Sequence, residues 1–300
     1  MELESDLAFA QRLTEVADRV TVALDQLIPP AQGPEADLMR AMRHSALANG
    51  KRMRPFYVIE TGAMFDAPEK SLLRTAAALE CVHCYSLIHD DLPCMDDDDF
   101  RRGQPTVHKA FNEATAVLAG DALLTLAFKI LANRETHQDA HIRLKLLERL
   151  ADNSGALGMV GGQMIDMLED ESPRDLNTIT RMQRLKTGAL ISYSVEAGAI
   201  IGGADEAERQ ALHGFAHDLG LAYQIADDLL DVEGDETEVG KPLRTDESAG
   251  KANFVTLMGV DQARERVRLL AAQAKEHLAI FRNRANILLQ SVDFVLDRKH

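Results

Sequence analysis

Six carboxylates fall within ten residues at Asp90-Asp91-Leu92-Pro93-Cys94-Met95-Asp96-Asp97-Asp98-Asp99, and a second group, Asp227-Asp228-Leu229-Leu230-Asp231, lies far downstream. Carboxylates packed this closely repel one another and need a compensating cation to remain ionised together. A donor set of oxygens alone, without Cys or His, suits Mg²⁺, which keeps part of its water shell and sits between carboxylates and substrate phosphates. Neither cluster has the glycine and terminal glutamate of an EF-hand calcium loop. Taken singly, each reads equally well as a solvated acidic patch.

Basic residues tip the balance towards a phosphate site. Arg101 and Arg102 follow the first cluster directly, ahead of Gly103. Upstream, Gly50-Lys51-Arg52-Met53-Arg54-Pro55 puts three cations into four residues beside a glycine. Downstream of the second cluster stand Gly240-Lys241 and Gly250-Lys251. Guanidinium and ammonium groups beside turn-permitting glycines are what phosphate oxygens require. Lys186 belongs to a helical stripe with Ile179, Gln183, Leu190, Tyr193, Ala197 and Ile200, so it faces inward with Thr187 beside it. The plain alternative is a lysine that snorkels to the surface.

The elements that carry these groups read as helices. The nine prolines lie at 29, 30, 34, 55, 68, 93, 105, 173 and 242, leaving 106–172 and 174–241 free of them. Apolar residues there recur every three or four positions, and strand-like alternation is sustained nowhere. The periodicity predicts helices over 5–28, 35–48, 55–65, 70–92, 107–132, 139–152, 154–170, 175–202 and 205–231, and two more near 261–298. Asp175 should cap the helix that bears Lys186. Asp227 and Asp231 should share one helix face with Gln224 a turn earlier. Pro93 should end its helix, so that Asp96 returns from a loop towards Asp90. The polar segment 234–250 reads as a loop. No repeat or linker divides the chain, and one domain over 1–300 is expected.

With 33 basic and 48 acidic residues the net charge is −15, which argues against nucleic acid or an anionic membrane as partner. The start, MELESDLAFAQRL, is acidic where a secretion signal would be basic. The nearest approach to a membrane span is 190–203, and it carries Glu196. A cytoplasmic protein is expected. Cys81 and Cys84 could suggest zinc, but a structural site needs four ligands and only Cys94 and scattered histidines remain. Two cysteines buried in a helix is the better reading.

These motifs together resemble those of the trans-isoprenyl diphosphate synthases. LIHDDLPCMDDDDFRRGQPT is similar to their first aspartate-rich motif, in the bacterial farnesyl-forming variety with two additional residues between the second and third aspartates. QIADDLLD resembles the second, GKRMRP the isopentenyl diphosphate-binding segment, and KTGALI the Lys-Thr motif. They occur in family order from Gly50 to Lys251. The resemblance implies an all-α fold: a single large helical bundle around a deep central cavity, with the aspartate motifs at its mouth. It implies a homodimer with small diphosphates as substrates, and about three Mg²⁺ ions per site, replaceable by Mn²⁺.

Carried across by residue, Asp90 and Asp96 hold two ions and Asp227 the third, with Asp91, Asp228 and Asp231 in support. Arg101, Lys186 and Lys241 grip the allylic diphosphate, assisted by Lys251. Lys51, Arg54, His83 and Arg102 bind isopentenyl diphosphate. Thr187 and Gln224 steady the developing allylic cation. The expected reaction is head-to-tail condensation of isopentenyl diphosphate with dimethylallyl or geranyl diphosphate, giving farnesyl diphosphate. Ser86, four residues before Asp90 and about 6 Å down the helix, is small enough to let a ten-carbon chain pass; Tyr85, about 7.5 Å down, is the floor that stops growth near fifteen carbons.

The sequence departs from the family pattern after the second motif, where Arg244 replaces a glycine and Asn253 a threonine. Geranylgeranyl or geranyl diphosphate as product is the nearest alternative. A terpene cyclase should carry a mixed Asn/Ser/Glu metal motif where QIADDLLD stands, and a non-catalytic subunit of a heteromeric synthase should lack an aspartate motif.

Overall fold

A computed structural model describes residues 2–168, 175–233 and 253–296. Helices dominate it: α1 Glu2–Leu27, α2 Ala36–Ala46, α3 Met53–Ala63, α4 Glu69–Asp90, α5 Val107–Ala110, α6 Glu113–Ala132, α7 Ala140–Ser154 and α8 Met159–Met167. They continue with α9 Leu176–Gln183, α10 Ala189–Gly202, α11 Glu206–Glu233, α12 Phe254–Met258, α13 Val260–His277 and α14 Asn286–Leu296. The all-α class expected from periodicity is the class observed. Its one exception among the described residues is a hairpin, β1 Phe100–Arg101 against β2 Gln104–Pro105.

Contacts group the chain into two compact units. The first comprises 1–9, 151–199 and 204–300; the second comprises 10–150 and 200–203. In the second, α4 is the central helix. Ala76, Ala77, Ala78 and Leu79 are all fully buried, so this helix is covered on every side. The alanines let α3 and α6 approach closely. In the first unit α11 and α13 pair through Leu212, Phe215 and Leu219 on one side and Val267, Leu270 and Ala274 on the other, all buried.

Three sequence expectations need correction. The predicted helix 107–132 breaks at Phe111-Asn112, because Asn112 caps α6 by accepting a bond from the Thr115 amide at 2.8 Å. A side-chain cap satisfies an otherwise orphaned amide, so the chain restarts there. The predicted helix 175–202 is interrupted by a π-helical turn at Arg184–Gly188. The most apolar long helix is α6 rather than 190–203, with mean hydropathy 1.7 over an 18-residue window. It is long and apolar enough to cross a membrane, yet it carries Asp121 and Lys129 and packs on α4; a core helix meets the same description.

Candidate active site

In the second unit the first aspartate cluster hangs from the end of α4. Helix α4 stops at Asp90, and Pro93 prevents continuation. The chain then doubles back: the Asp96 amide donates to the Asp90 carbonyl at 2.8 Å, which is the return that the proline predicted. Asp97 takes a left-handed backbone with φ 53°. Thr106 closes the loop, its hydroxyl donating to the Asp98 carbonyl at 2.8 Å and its amide to the Asp99 carbonyl at 3.0 Å. Asp91 is buried, and its carboxylate accepts from Arg101 Nε at 2.5 Å. Burial pushes the Asp91 carboxyl up to about 6, against the opposing pull of Arg101. A second nitrogen of Arg101 reaches Asp98 at 3.0 Å, so the first cation of the pair is pinned across the loop.

The hairpin fixes the second cation. Phe100 pairs with Pro105 and Arg101 with Gln104, leaving Arg102-Gly103 as a two-residue turn with φ of 53° and 78°. Positive φ at both positions is the type I′ geometry that suits strand twist, and a non-glycine residue there is strained. Arg102 thereby projects towards Glu80 and Gly50. Its Nη2 lies 3.7 Å from Glu80, and a Cβ added at Gly50 would stand 3.0 Å from its Cζ. Gly50 is therefore needed for close approach, not for its own φ.

Lys51 is exposed, while Arg54 is half-buried on the first turn of α3 and lies 3.4 Å from His83 Nε2. Burial, then the positive charges of Arg54 and Arg102, hold His83 well below the ordinary imidazole value. His83 is neutral, with Nε2 as the acceptor towards Arg54. The structure thus brings Lys51, Arg54, His83 and Arg102 into one neighbourhood of the second unit. Cys81 and Cys84 are buried, as expected, and burial pushes the Cys84 thiol up to about 11.

The first unit carries the other set. Asp175 caps α9 through the Thr178 amide at 2.8 Å, as predicted. Lys186 lies in the π turn, and its Nζ donates to Asp166 of α8 at 2.6 Å. Gly162 makes that approach possible, since a Cβ there would collide with the Lys186 backbone. The rest of the stripe in this unit is where periodicity puts it: Ile179, Leu190, Tyr193 and Ala197 are buried. Thr187 donates to the Gln224 carboxamide oxygen at 3.1 Å, and the Gln224 nitrogen donates to Asp228 at 3.4 Å. Asp228 is buried and also accepts from the Phe254 amide at 2.9 Å, which anchors the start of α12. Asp231 is buried and Asp227 half-buried.

Asn253 has a clear local role. It forms a capping box for α12, its carboxamide oxygen accepting from the Thr256 amide and its own amide donating to the Thr256 hydroxyl, both at 2.9 Å. Asn caps as well as Thr, so this replacement leaves the helix start intact. Lys241, Lys251 and Arg244 lie outside the described residues.

Among the described residues, no three His, Cys, Asp or Glu side chains converge tightly enough to hold an ion unaided. The donor chemistry fits a hard cation: Asp90, Asp96 and Asp227 offer only oxygen, the donor type that Mg²⁺ takes.

The polyprenyl synthetase family model matches residues 35–285, which takes in every motif described except the N-terminal helix and the last turns. The chain belongs to this family. A polyprenyl synthetase relative from Geobacillus stearothermophilus, named farnesyl diphosphate synthase, is 44% identical over 275 residues, covering 91% of this chain and 92% of its own length. The crystal structure of an FPP/GFPP synthase from Zymomonas mobilis aligns with TM-score 0.89 at 44% identity, covering 97% of this chain and 99% of that one. A geranyltransferase from Helicobacter pylori, solved in complex with magnesium and isoprenyl diphosphate, aligns with TM-score 0.83 at 31% identity, covering 96% of each chain.

Within this polyprenyl synthetase, sequence reasoning missed two residues beside the site, Asp166 and Glu80, and the role of a third, Arg52. Asp166 was overlooked because a lone acid on a helix reads as solvated; the signal available was Gly161-Gly162 inside a helical pattern, which marks close backbone approach. Glu80 was overlooked because it stands within a run that periodicity assigns to the core, and Arg52, counted among the three cations after Gly50, was given no separate role. Both are buried.

Proposed function

We infer that the chain is a farnesyl diphosphate synthase, joining isopentenyl diphosphate head to tail to dimethylallyl and then geranyl diphosphate with release of inorganic diphosphate. The observation that supports this reading is the presence in each unit of an oxygen-only acidic motif and of a cation held by a carboxylate: Arg101 on Asp91 and Asp98 of the first motif, and Lys186 on Asp166, which lies outside the second.

The residue roles follow from chemistry. Lys51, Arg54 and Arg102 bind the diphosphate of isopentenyl diphosphate, with neutral His83 as a hydrogen-bonding member. Arg101 and Lys186 bind the allylic diphosphate, joined by Lys241 and Lys251. Asp90, Asp96 and Asp227 are the residues that would hold Mg²⁺, with Asp91, Asp228 and Asp231 orienting them; when bound, about three such ions neutralise the departing diphosphate, and Mn²⁺ can replace them. As the allylic C1–O bond breaks, Thr187 and Gln224 present hydroxyl and carboxamide oxygens to the developing cation. The alkene of isopentenyl diphosphate bonds to C1, and a proton from its C2 passes to the released diphosphate. No side-chain base is needed. Aliphatic burial around Leu190 and Ile225 keeps out the water that would quench the cation.

Both units belong to one catalytic domain over 1–300, a reading supported by a single family model that runs through both. The enzyme works in the cytoplasm on small diphosphates, without nucleic acid or membrane, and as a homodimer. Val117 and Leu118 leave part of α6 apolar and exposed, which suits self-association. A monomer by light scattering at micromolar concentration would contradict the dimer.

The direct test is turnover with labelled isopentenyl diphosphate and dimethylallyl, geranyl or farnesyl diphosphate as partner, reading product length. Condensation ending at fifteen carbons is expected. Absence of condensation with all three partners overturns the reading, and a dominant twenty-carbon product would move it to geranylgeranyl diphosphate synthesis.

A further inference from the structure

One buried charge among the isopentenyl diphosphate residues has no part in the chemistry above. Glu80 lies in α4 between Leu79 and Cys81, with only 1% of its surface exposed. A carboxylate so deeply buried is costly unless paired and hydrogen-bonded. Its Oε1 accepts from Arg52 Nη1 at 2.5 Å and stands 3.7 Å from Arg102 Nη2. Two guanidiniums share one carboxylate, so the trio keeps a net positive charge.

Arg52 extends the connection. It is buried, and its Nη2 donates at 2.7 Å to the carbonyls of both Ala46 and Ala48, at and just beyond the end of α2. Its backbone is left-handed, φ 50° and ψ 40°, at the position that caps α3. A non-glycine residue holds that conformation only where its surroundings over-determine it. The ion pair to Glu80 and the two carbonyl bonds supply that constraint. Lys51 precedes Arg52 directly, and Arg54 follows two residues later. On the other side, Arg102 Nη1 is buried and has no hydrogen-bond partner among the described residues.

We propose that Glu80 is a positioning residue for isopentenyl diphosphate: it aligns Arg102 directly and, through Arg52, sets the strained segment that presents Lys51 and Arg54. This rests on the assignment of those three cations to isopentenyl diphosphate. Glu80 itself touches no substrate. Its effect is to have the cations in place before the ligand arrives, which lowers the ordering cost of binding.

The test is steady-state kinetics and isothermal calorimetry on Glu80→Gln, Glu80→Asp and Lys51→Ala, with melting temperature recorded for each. Glu80→Gln keeps size but removes charge; it should raise KM for isopentenyl diphosphate by about tenfold to a hundredfold, the scale of a misplaced binding group. KM for geranyl diphosphate should move by less than about twofold, since uniform binding of one substrate alone is lost. Glu80→Asp, which restores the charge one methylene short, should recover part of the loss. An unchanged KM for isopentenyl diphosphate, or equal rises for both substrates, overturns the proposal. If Glu80→Gln does not fold, the same criteria applied to Glu80→Asp decide it. Lys51→Ala deletes one of the presented cations itself and leaves Glu80 in place, so it tests the site assignment separately. If it leaves isopentenyl diphosphate binding intact, the site assignment itself falls; if it weakens binding while the Glu80 variants do not, only the positioning role falls.

Discussion

The ammonium of Lys186 lies 2.6 Å from the Asp166 carboxylate, across the contact between a π-helical turn and α8. The turn inserts an extra residue where an α-helix would run straight, and such turns are frequent at functional sites. Gly162 admits the turn's backbone at a distance that no Cβ would permit. If Lys186 has the role proposed for it, stabilising charge that develops only as diphosphate leaves, then Lys186→Gln should chiefly lower kcat, by about 10²-fold. Gly162→Ala should destabilise by about 1–3 kcal/mol through overpacking and reduce kcat in parallel. A Gly162→Ala enzyme with normal kcat and melting temperature would show that the approach is not required.

Metal dependence follows from the donor set. Asp90→Ala and Asp227→Ala should each reduce turnover by several orders of magnitude with helical content unchanged by circular dichroism, and excess EDTA should abolish activity until Mg²⁺ or Mn²⁺ is returned. Full activity in EDTA would refute this.

The neutral state of His83 gives a signed pH prediction. Burial and the neighbouring guanidiniums make it harder to protonate when folded than when unfolded. The native state then binds fewer protons, so this contribution to stability is complete above the unfolded value of about 6.5 and is lost as pH falls through it. Denaturation midpoints of the parent and of His83→Gln should run parallel above pH of about 6.5, with the parent losing more below it. Curves that stay parallel into the acid range would mean that folding does not depress His83. The same substitution should raise KM for isopentenyl diphosphate without introducing a pH dependence near neutrality.

Much of this site was legible in the sequence because its signals are local. Pro93 announced the turn that returns Asp96 to Asp90, Asp175 announced the start of α9, and the spacing of Ile179, Leu190 and Tyr193 announced which side of the helix is buried. The break at Asn112 was hidden because α6 continues the same apolar pattern on the far side of its cap. The π turn was hidden because one inserted residue shifts the stripe by less than the tolerance of a helical period. Asp166 and Glu80 were hidden for a different reason. Their partners Lys186 and Arg52 are 20 and 28 residues away in sequence; Gly161-Gly162 marks a close approach near Asp166 without naming its partner, and nothing local marks Glu80.

Product length is the sharpest remaining test of the function. The first aspartate motif closes α4, so a prenyl chain whose diphosphate is held there grows back along that helix, and the residues one turn and more before Asp90 meet its tail. Ser86 is half-buried and its hydroxyl is occupied by the His83 carbonyl at 2.8 Å, which leaves a small, self-satisfied surface. Tyr85 is 7% exposed, and its ring meets His89 edge-on at 5.8 Å between centroids. His89 in turn bonds the Val117 carbonyl of α6 at 3.1 Å, so the phenol ring is braced from behind. Burial pushes the Tyr85 phenol up to about 12, so it stays uncharged and apolar in character at neutral pH. A braced ring makes a firm stop. Tyr85→Ala should therefore lengthen the product to twenty carbons or more, with Cys81, a turn lower and fully buried, as the next wall. Ser86→Phe should raise the stop and shift output to geranyl diphosphate. Truncating a buried aromatic costs about 3–5 kcal/mol wherever it sits, so a lower melting temperature for Tyr85→Ala does not discriminate. Product length does. If Tyr85→Ala remains folded and still ends at fifteen carbons, the ring is a core packer alone, and the fifteen-carbon assignment must find its support in another wall of the site.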